Sequence, residues 1–226
     1  MSKFYEYANL DEFLSWSKVA IDNAIQSPEI LAALSIYGYD EVSLQEGSDL
    51  RETVVDLESQ QNGAYGKQFA ATQAFEQAWR ETDRRHYAVH RRLVRLAYKK
   101  DKDRREALRL NERKKQSYGG WYHQAETFYR SLLNAPDVVE TLARFNLTRE
   151  QLEQAQGAVE QVGALKAEQE QQKTAAQQAT QARDVALGAL KEWLSAFREV
   201  ARIALADDPE HLETIQLAMM PVSEIA

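Results

Sequence analysis

The sequence predicts an all-α fold built from two tandem helical units, and three observations predict it. Glycine and proline are scarce, 9 and 4 of 226 residues, while Ala, Gln, Glu, Leu and Arg abound. The abundant residues are strong helix formers, and the two that break helices are nearly absent. Apolar residues recur at three- and four-residue spacing, the period of one helix face. Finally, the chain repeats itself at an offset of 108 residues: Phe13 falls on Trp121, Pro28 on Pro136, Leu34 on Leu142, Tyr37 on Phe145, Leu44 on Leu152, Val54 on Val162 and Leu57 on Leu165. Ala71-Thr72-Gln73-Ala74 likewise falls on Ala179-Thr180-Gln181-Ala182. One residue is then lost, and Arg95, Ala97, Glu106 and Leu110 fall on Arg202, Ala204, Glu213 and Leu217. An internal repeat constrains architecture more than local propensity does. It predicts repeats 1–112 and 113–226, each a helix, a short helix, a long helix or helical hairpin, and a short helix. Packed about a pseudo-twofold, they would form one elongated helical bundle with a shared core.

The elements follow in order. Asn9 or Asp11 can cap a first helix to about Gln26, with Phe13, Trp16, Ala20, Ala24 and Ile25 on one stripe. Ser27-Pro28 is a cap followed by proline at the first helical position, so a short helix runs over 28–36 until Gly38 ends it. In the second repeat Gly119-Gly120 breaks the chain, Trp121 opens a helix to about Asn134, and Ala135-Pro136 restarts it. Asn146 takes the place of Gly38. Thr148-Arg149-Glu150-Gln151 reads as a capping box, threonine accepting from the Gln151 amide while Gln151 reaches back. From there to Ala206 no proline occurs, and one uninterrupted helix would be about 85 Å long at 1.5 Å per residue. Between Leu165 and Val185, however, alanine is the only apolar residue. The matching first-repeat stretch contains Asn62-Gly63 with Gly66 nearby, a turn signal that favours a hairpin in each repeat over a continuous helix. Asp101 to Leu110, and the helix begun by Asp207-Asp208-Pro209 with Leu212, Ile215 and Leu217, close the repeats, which a linker near 111–120 joins.

Composition narrows function more than it names it. A hydrophobic fraction of 44% is near the globular average. Cysteine is absent, which excludes disulfides, thiolate metal sites and a cysteine nucleophile. No apolar run approaches a membrane span, and Met1 to Glu6 lacks a signal pattern, so a cytoplasmic protein without a membrane role is expected. The net charge of −7 conceals an asymmetry. Residues 80–115 hold 15 Lys/Arg and 6 Asp/Glu, a local charge of +9, and the remainder holds 13 and 29, or −16.

That basic stretch is the strongest functional lead. Arg84, Arg85, Arg91, Arg92, Arg95, Lys99, Lys100, Lys102, Arg104, Arg105 and Arg109 lie on one or two consecutive helices. Arg84, Arg91 and Arg95 fall on one face, as do Arg85 and Arg92. The equivalent second-repeat segment, 188–217, has 3 basic and 6 acidic residues, so the scaffold does not require the charge. Such a stripe can neutralise phosphates without reading sequence. It can equally pair with acidic surface on this chain or a partner. The overall pI near 5.3 favours the second use.

Other candidates are weaker. His86 and His90 stand four apart on a helix with Asp83 one turn before, the spacing of a metal pair. Yet they align with Leu194 and Arg198, and neighbouring arginines oppose a cation, so no metal or other cofactor is expected. Tyr65, Phe69, Phe75 and Trp79 face Lys173, Gln177, Arg183 and Leu187 in the other repeat, either as a larger core or as an exposed aromatic strip for a partner helix. The Gln- and Ala-rich stretch 167–182 suits close helix packing or a solvated coiled-coil arm. No GxSxG, P-loop, GxGxxG or HExxH is present, so no catalytic residue is nominated.

The string Arg113-Lys114-Lys115-Gln116-Ser117-Tyr118-Gly119-Gly120-Trp121-Tyr122-His123-Gln124-Ala125, followed by Phe128-Tyr129, forms half of a signature. Trp193 to Phe197, Ala201 to Leu205, Asp208-Pro209 and Leu212-Glu213 form the other half. Together they resemble a family of uncharacterised bacterial helical proteins, also built from two tandem copies. Across essentially the whole chain, the resemblance implies a duplicated helical fold and a bacterial cytosolic setting, with no established activity. Gln216-Leu217 stands where a helix-ending Leu-Gly is expected. The residues together lead to a non-enzymatic scaffold or interaction protein, with a protein partner or self-association. The alternative is electrostatic nucleic-acid binding through the basic stretch.

Overall fold

The computed structural model describes residues 10–215, and among them every regular element is helical. The elements are α1 (Leu10–Gln26), α2 (Pro28–Ser35), α3 (Glu41–Thr82), a π-helical turn (Asp83–Tyr87), α4 (Ala88–Ala97), α5 (Lys102–Ala107), α6 (Tyr118–Leu133), α7 (Pro136–Ala143), α8 (Arg149–Ala204) and α9 (Pro209–Thr214). None of these helices is long and apolar enough to cross a membrane. Asn9 as a cap, Leu217 in the last helix and the Gln216-Leu217 departure lie outside the described residues.

Local sequence sets most boundaries. Ser27 Oγ accepts from the Ile30 amide at 3.4 Å, Asp101 Oδ1 from Arg104 at 2.9 Å and Asp208 Oδ1 from His211 at 3.2 Å, each satisfying an amide that the helix start leaves unpaired. The capping box forms as expected: Thr148 Oγ1 accepts from the Gln151 amide at 3.3 Å, and Gln151 Oε1 from the Thr148 amide at 3.1 Å. Gly38 and Asn146 both adopt positive φ, 87° and 56°. Each ends its helix in a Schellman motif, with Tyr39 N bonding Leu34 O at 3.2 Å and Leu147 N bonding Leu142 O at 3.3 Å.

Two expectations are corrected. Gly119-Gly120 does not break the chain; it lies in the first turn of α6, which starts at Tyr118 behind the cap Ser117. Neither of the two expected hairpins forms, because α3 and α8 are single helices of 42 and 56 residues. Gly63 and Gly66 each cost about 1 kcal/mol inside a helix. That is small against the buried residues anchoring α3 on either side, Val54 before them and Phe75 after. The polar midsections also find partners: Gln61 Nε2 donates to Thr180 Oγ1 at 3.0 Å, and Gln169 Nε2 to Thr72 Oγ1 at 3.4 Å. Stretch 167–182 is therefore part of α8, bonded to α3, and not a solvated arm.

Compactness groups the residues differently from the halves 1–112 and 113–226. One unit comprises 1–64 and 176–226; the other comprises 65–175. Each takes elements from both halves. In the first unit α1, α2, α9 and parts of α3 and α8 enclose Phe13, Ile21, Leu34, Leu194, Phe197 and Ile215. Trp193 stacks on Phe197 at 5.2 Å between ring centroids and meets Tyr39 edge-on at 5.7 Å. A Cβ on Gly47 would sit 2.3 Å from the Trp193 ring, so only glycine admits that indole. In the second unit α4 to α7 and the remaining parts of α3 and α8 enclose Tyr87, Trp121, Phe128, Tyr129, Leu142 and Val159.

Candidate interaction surface and basic cleft

Helix α4 divides the basic stretch into an inner and an outer face. Inward, Arg91 is only 7% exposed; its Nη2 donates to the Glu112 carbonyl, and its guanidinium lies 6.0 Å from the Tyr87 ring centroid. Arg95 is exposed but reaches back to the same segment: its Nε donates to the Leu110 carbonyl at 2.8 Å, and its Nη2 reaches the same oxygen and, at 3.4 Å, that of Glu112. Beyond α5 the chain turns at Arg109, whose φ is 51°, and runs to α6 without regular structure. Carbonyls in such a segment need donors, and Arg91 and Arg95 supply them.

The other cations divide further. Arg104 pairs with Asp137 of α7, Arg85 lies 3.6 Å from Glu81, and Arg109 Nε lies 2.7 Å from Glu112. Arg105 is partly buried, with an Nε that finds no hydrogen-bond partner. Exposed Arg84, Arg92, Lys99 and Lys100 enter no ion pair among the described residues. Of the expected face of Arg84, Arg91 and Arg95, the last two come together at the Glu112 carbonyl, whereas Arg84, in the π-helical turn, is exposed and takes no part.

Arg85, Val89, Arg92, Leu96 and Lys99 are all exposed and recur at alternating spacings of four and three. Val89 is 43% and Leu96 56% exposed, an apolar seam flanked by cations. This is the spacing by which one helix presents a stripe to another. A second stripe escaped the sequence reading. On α3, exposed Val42, Gln45, Asp49, Glu52 and Asp56 follow the same alternation. Asp49 accepts from Gln45 Nε2 at 2.9 Å, and Glu52 and Asp56 enter no ion pair among the described residues. Its signal was available as a run of carboxylates at helical spacing within the acidic remainder. Of the aromatics, Phe75 is buried and meets Tyr118 edge-on at 5.1 Å, whereas Phe69 is exposed.

Inside the second unit lies a cleft of about 390 Å³. Buried Tyr87, Arg91, Leu108 and Phe128 line it, as do exposed Arg109, Arg113 and Lys115. Gln124 pins the linker across it, its Oε1 accepting from the Lys115 amide at 2.9 Å and its Nε2 donating to the Arg113 carbonyl at 2.9 Å. A Cβ at Gly120 would meet Lys115 Cβ at 2.8 Å, so glycine lets the linker lie on the first turn of α6. Glu112 is the single carboxylate of the lining; Gln124 and Arg109 hold its carboxyl below the usual range.

Next to the cleft, the π-helical turn carries a polar network. Asp83 accepts from Trp121 Nε1 at 2.9 Å and from Lys114 Nζ at 2.5 Å. The His90 and Tyr129 side chains share a hydrogen bond, Nδ1 to hydroxyl, of 3.1 Å. Burial, and then His86 beside it, lowers His90 to about 4, so the ring is neutral near pH 7. Burial pushes the Tyr129 hydroxyl up. His86 and His90 lie 5.8 Å apart between ring centroids, and among the described residues no three His, Asp or Glu side chains gather as metal ligands. No protein-family model matches the chain, and neither the curated proteins nor the solved structures contain a match to it.

Proposed function

We propose that this chain is a non-enzymatic helical interaction protein whose partner is a second copy of itself. The basic face of α4 would lie against the acidic face of α3 on the other copy. One observation carries this reading: two exposed stripes of equal helical spacing and opposite charge, in which Arg92 and Lys99 on one and Glu52 and Asp56 on the other enter no ion pair among the described residues. Exposed ion pairs contribute roughly 0.2–1 kcal/mol each, and burying the exposed half of Val89 and of Leu96 contributes about 1 kcal/mol apiece. Against the loss of translational and rotational freedom, this makes a weak contact that salt screens. Nucleic-acid binding is the poorer fit, because Arg91 is buried out of reach of a duplex, and Arg95 and Arg104 are committed to the chain's own carbonyls and carboxylate.

The architecture underneath is proposed to be a tandem duplication with pseudo-twofold organisation, as in the two-copy family that the sequence resembles. Two features support it. From Glu41 to Ala97 the chain is helical throughout, one residue longer than α8. The repeat offset drops from 108 to 107 over the same interval, and a π-helical turn is how a helix absorbs one extra residue. Burial agrees once the offset of 107 is taken from the turn onward, which pairs His90 with Phe197 in place of Arg198: Thr82 matches Leu190 before the turn, and Tyr87, His90, Val94 and Tyr98 match Leu194, Phe197, Ala201 and Leu205 after it.

Sedimentation of the full chain at about 10 to 500 μM, in low and high salt, tests the self-association. Concentration-dependent association at low salt, weakened by high salt, is expected. The triple variant Arg85→Glu/Arg92→Glu/Lys99→Glu should be monomeric, as should Asp49→Lys/Glu52→Lys/Asp56→Lys, and mixing the two should restore association. A chain that stays monomeric throughout overturns the proposal. Duplex binding at low salt that the first triple variant abolishes, without self-association, puts the nucleic-acid reading in its place.

A further inference from the structure

The basic cleft is independent of the two stripes, none of whose residues lines it. Its lining includes four cations, Arg91, Arg109, Arg113 and Lys115, against the one carboxylate of Glu112. Arg91 is the telling member. A guanidinium more than nine-tenths buried is normally matched by a carboxylate, because burying an unpaired charge is costly. Arg91 instead donates to one main-chain carbonyl and contacts the Tyr87 ring, and it enters no ion pair among the described residues. A guanidinium has five N–H donors, so the hydrogen bond through Nη2 leaves others for a ligand. Glu112 supplies little counter-charge to it, since its carboxylate is taken by Arg109 and by Gln124 at 3.3 Å.

The remaining lining tells what kind of anion fits. Tyr87 and Phe128 meet edge-on at 5.6 Å beside Leu108, giving an apolar wall, and the volume of about 390 Å³ is that of a small-molecule site. Arg109, Arg113 and Lys115 all lie on the linker that Gln124 and Gly120 hold in place. The walls are therefore partly preformed. The wall residue Tyr87 also belongs to the π-helical turn, the kind of helix irregularity that often marks functional positions.

We propose that this cleft binds a small phosphorylated molecule with a flat ring, of the nucleoside diphosphate class. The phosphates meet Arg91 and the linker cations, and the ring lies along Tyr87 and Phe128. Bidentate guanidinium contacts and apolar ring contact together discriminate such a ligand from a bare anion.

Calorimetry on the full chain with ADP, inorganic pyrophosphate and adenosine separates the parts. ADP is expected to bind, pyrophosphate at least tenfold more weakly, and adenosine not measurably at 1 mM. Arg113→Glu/Lys115→Glu, both exposed, should weaken ADP at least tenfold without a change in melting temperature. Arg92→Glu/Lys99→Glu changes net charge equally but lies outside the cleft, and should leave ADP affinity within about twofold. Absence of ADP binding at 1 mM in low salt overturns the proposal, as does equal weakening by both double variants. Pyrophosphate binding as tightly as ADP overturns the role given to the aromatic wall.

Discussion

The two compact units both enclose helical cores, and the cores differ in chemistry. Where the first unit buries Leu194, Phe197 and Ile21, the second buries Tyr87, His90 and Tyr129. The first is closed mainly by apolar packing, with Trp193 seated over Gly47, and its buried polar side chains, Ser17 and Gln61, are neutral at any ordinary pH. In the second, His90 shares a hydrogen bond with Tyr129, Asp83 receives Trp121 and Lys114, and Arg91 lies beneath the linker. An apolar core gains from every methylene and is indifferent to pH. A polar one holds only while each donor and acceptor keeps its partner and its protonation state. The buried ionisable side chains, His90 and Arg91, thus belong to the unit that carries the basic cleft.

The sharpest break of that comparison is a cavity in the apolar core. Phe197 is fully buried, and Phe197→Ala should destabilise by about 3–5 kcal/mol, the usual range for losing a core phenylalanine. Because no ionisable group is removed, urea titrations at pH 7 and pH 4.5 should return the same loss. A loss that differs by more than about 1 kcal/mol between the two would mean that the first core is not as pH-indifferent as its residues make it.

The polar core should behave in the opposite way. His90 is held near 4 in the folded chain, against about 6.5 for a free imidazole. Between those values the unfolded chain takes up the proton and the folded one does not. Stability from this residue is therefore complete above about pH 6.5 and falls as pH drops towards 4, by about 3 kcal/mol as a ceiling at 1.36 kcal/mol per pH unit. His86, lowered by burial and by Arg85, acts in the same direction. The double variant His90→Phe/Tyr129→Phe removes the titration and leaves no hydroxyl unpaired. Its stability at pH 4.5 relative to pH 7 should fall less than that of the unaltered chain by up to that amount. Parallel profiles would show that His90 is not the source.

How far the sequence revealed these features follows from range. The Thr148–Gln151 box, the Asp101 and Asp208 caps and the positive φ of Gly38 and Asn146 are settled within a few residues, and all were legible. The continuity of α3 was not, because Asn62-Gly63 is a local turn signal and what overrides it, anchoring by Val54 and Phe75, is tertiary. The inner and outer faces of the basic stretch were likewise hidden. Nothing local says that the chain after Arg109 folds back to take the donors of Arg91 and Arg95. The π-helical turn at 83–87 was not legible either, since no residue there is a helix breaker. Phe128 and Gln124 had stood out as members of a motif, without a sign that they line the cleft or pin the linker.

The smallest predicted effect tests whether surface charge in the second unit also stabilises it. Arg104 bonds Asp137, linking α5 to α7, and both side chains are well exposed, at 41% and 59%. A single exposed pair between flexible side chains contributes about 0–1 kcal/mol, much of its attraction being offset by side-chain entropy and screened by salt. Arg104→Ala should therefore lower stability by no more than about 1 kcal/mol in low salt, with the difference shrinking in 0.5 M salt. Thermal melts at the two salt concentrations check this. A larger, salt-insensitive loss would place Arg104 with Arg91 and Arg95, among the arginines that hold the fold, and would leave still fewer of the basic residues available to a partner.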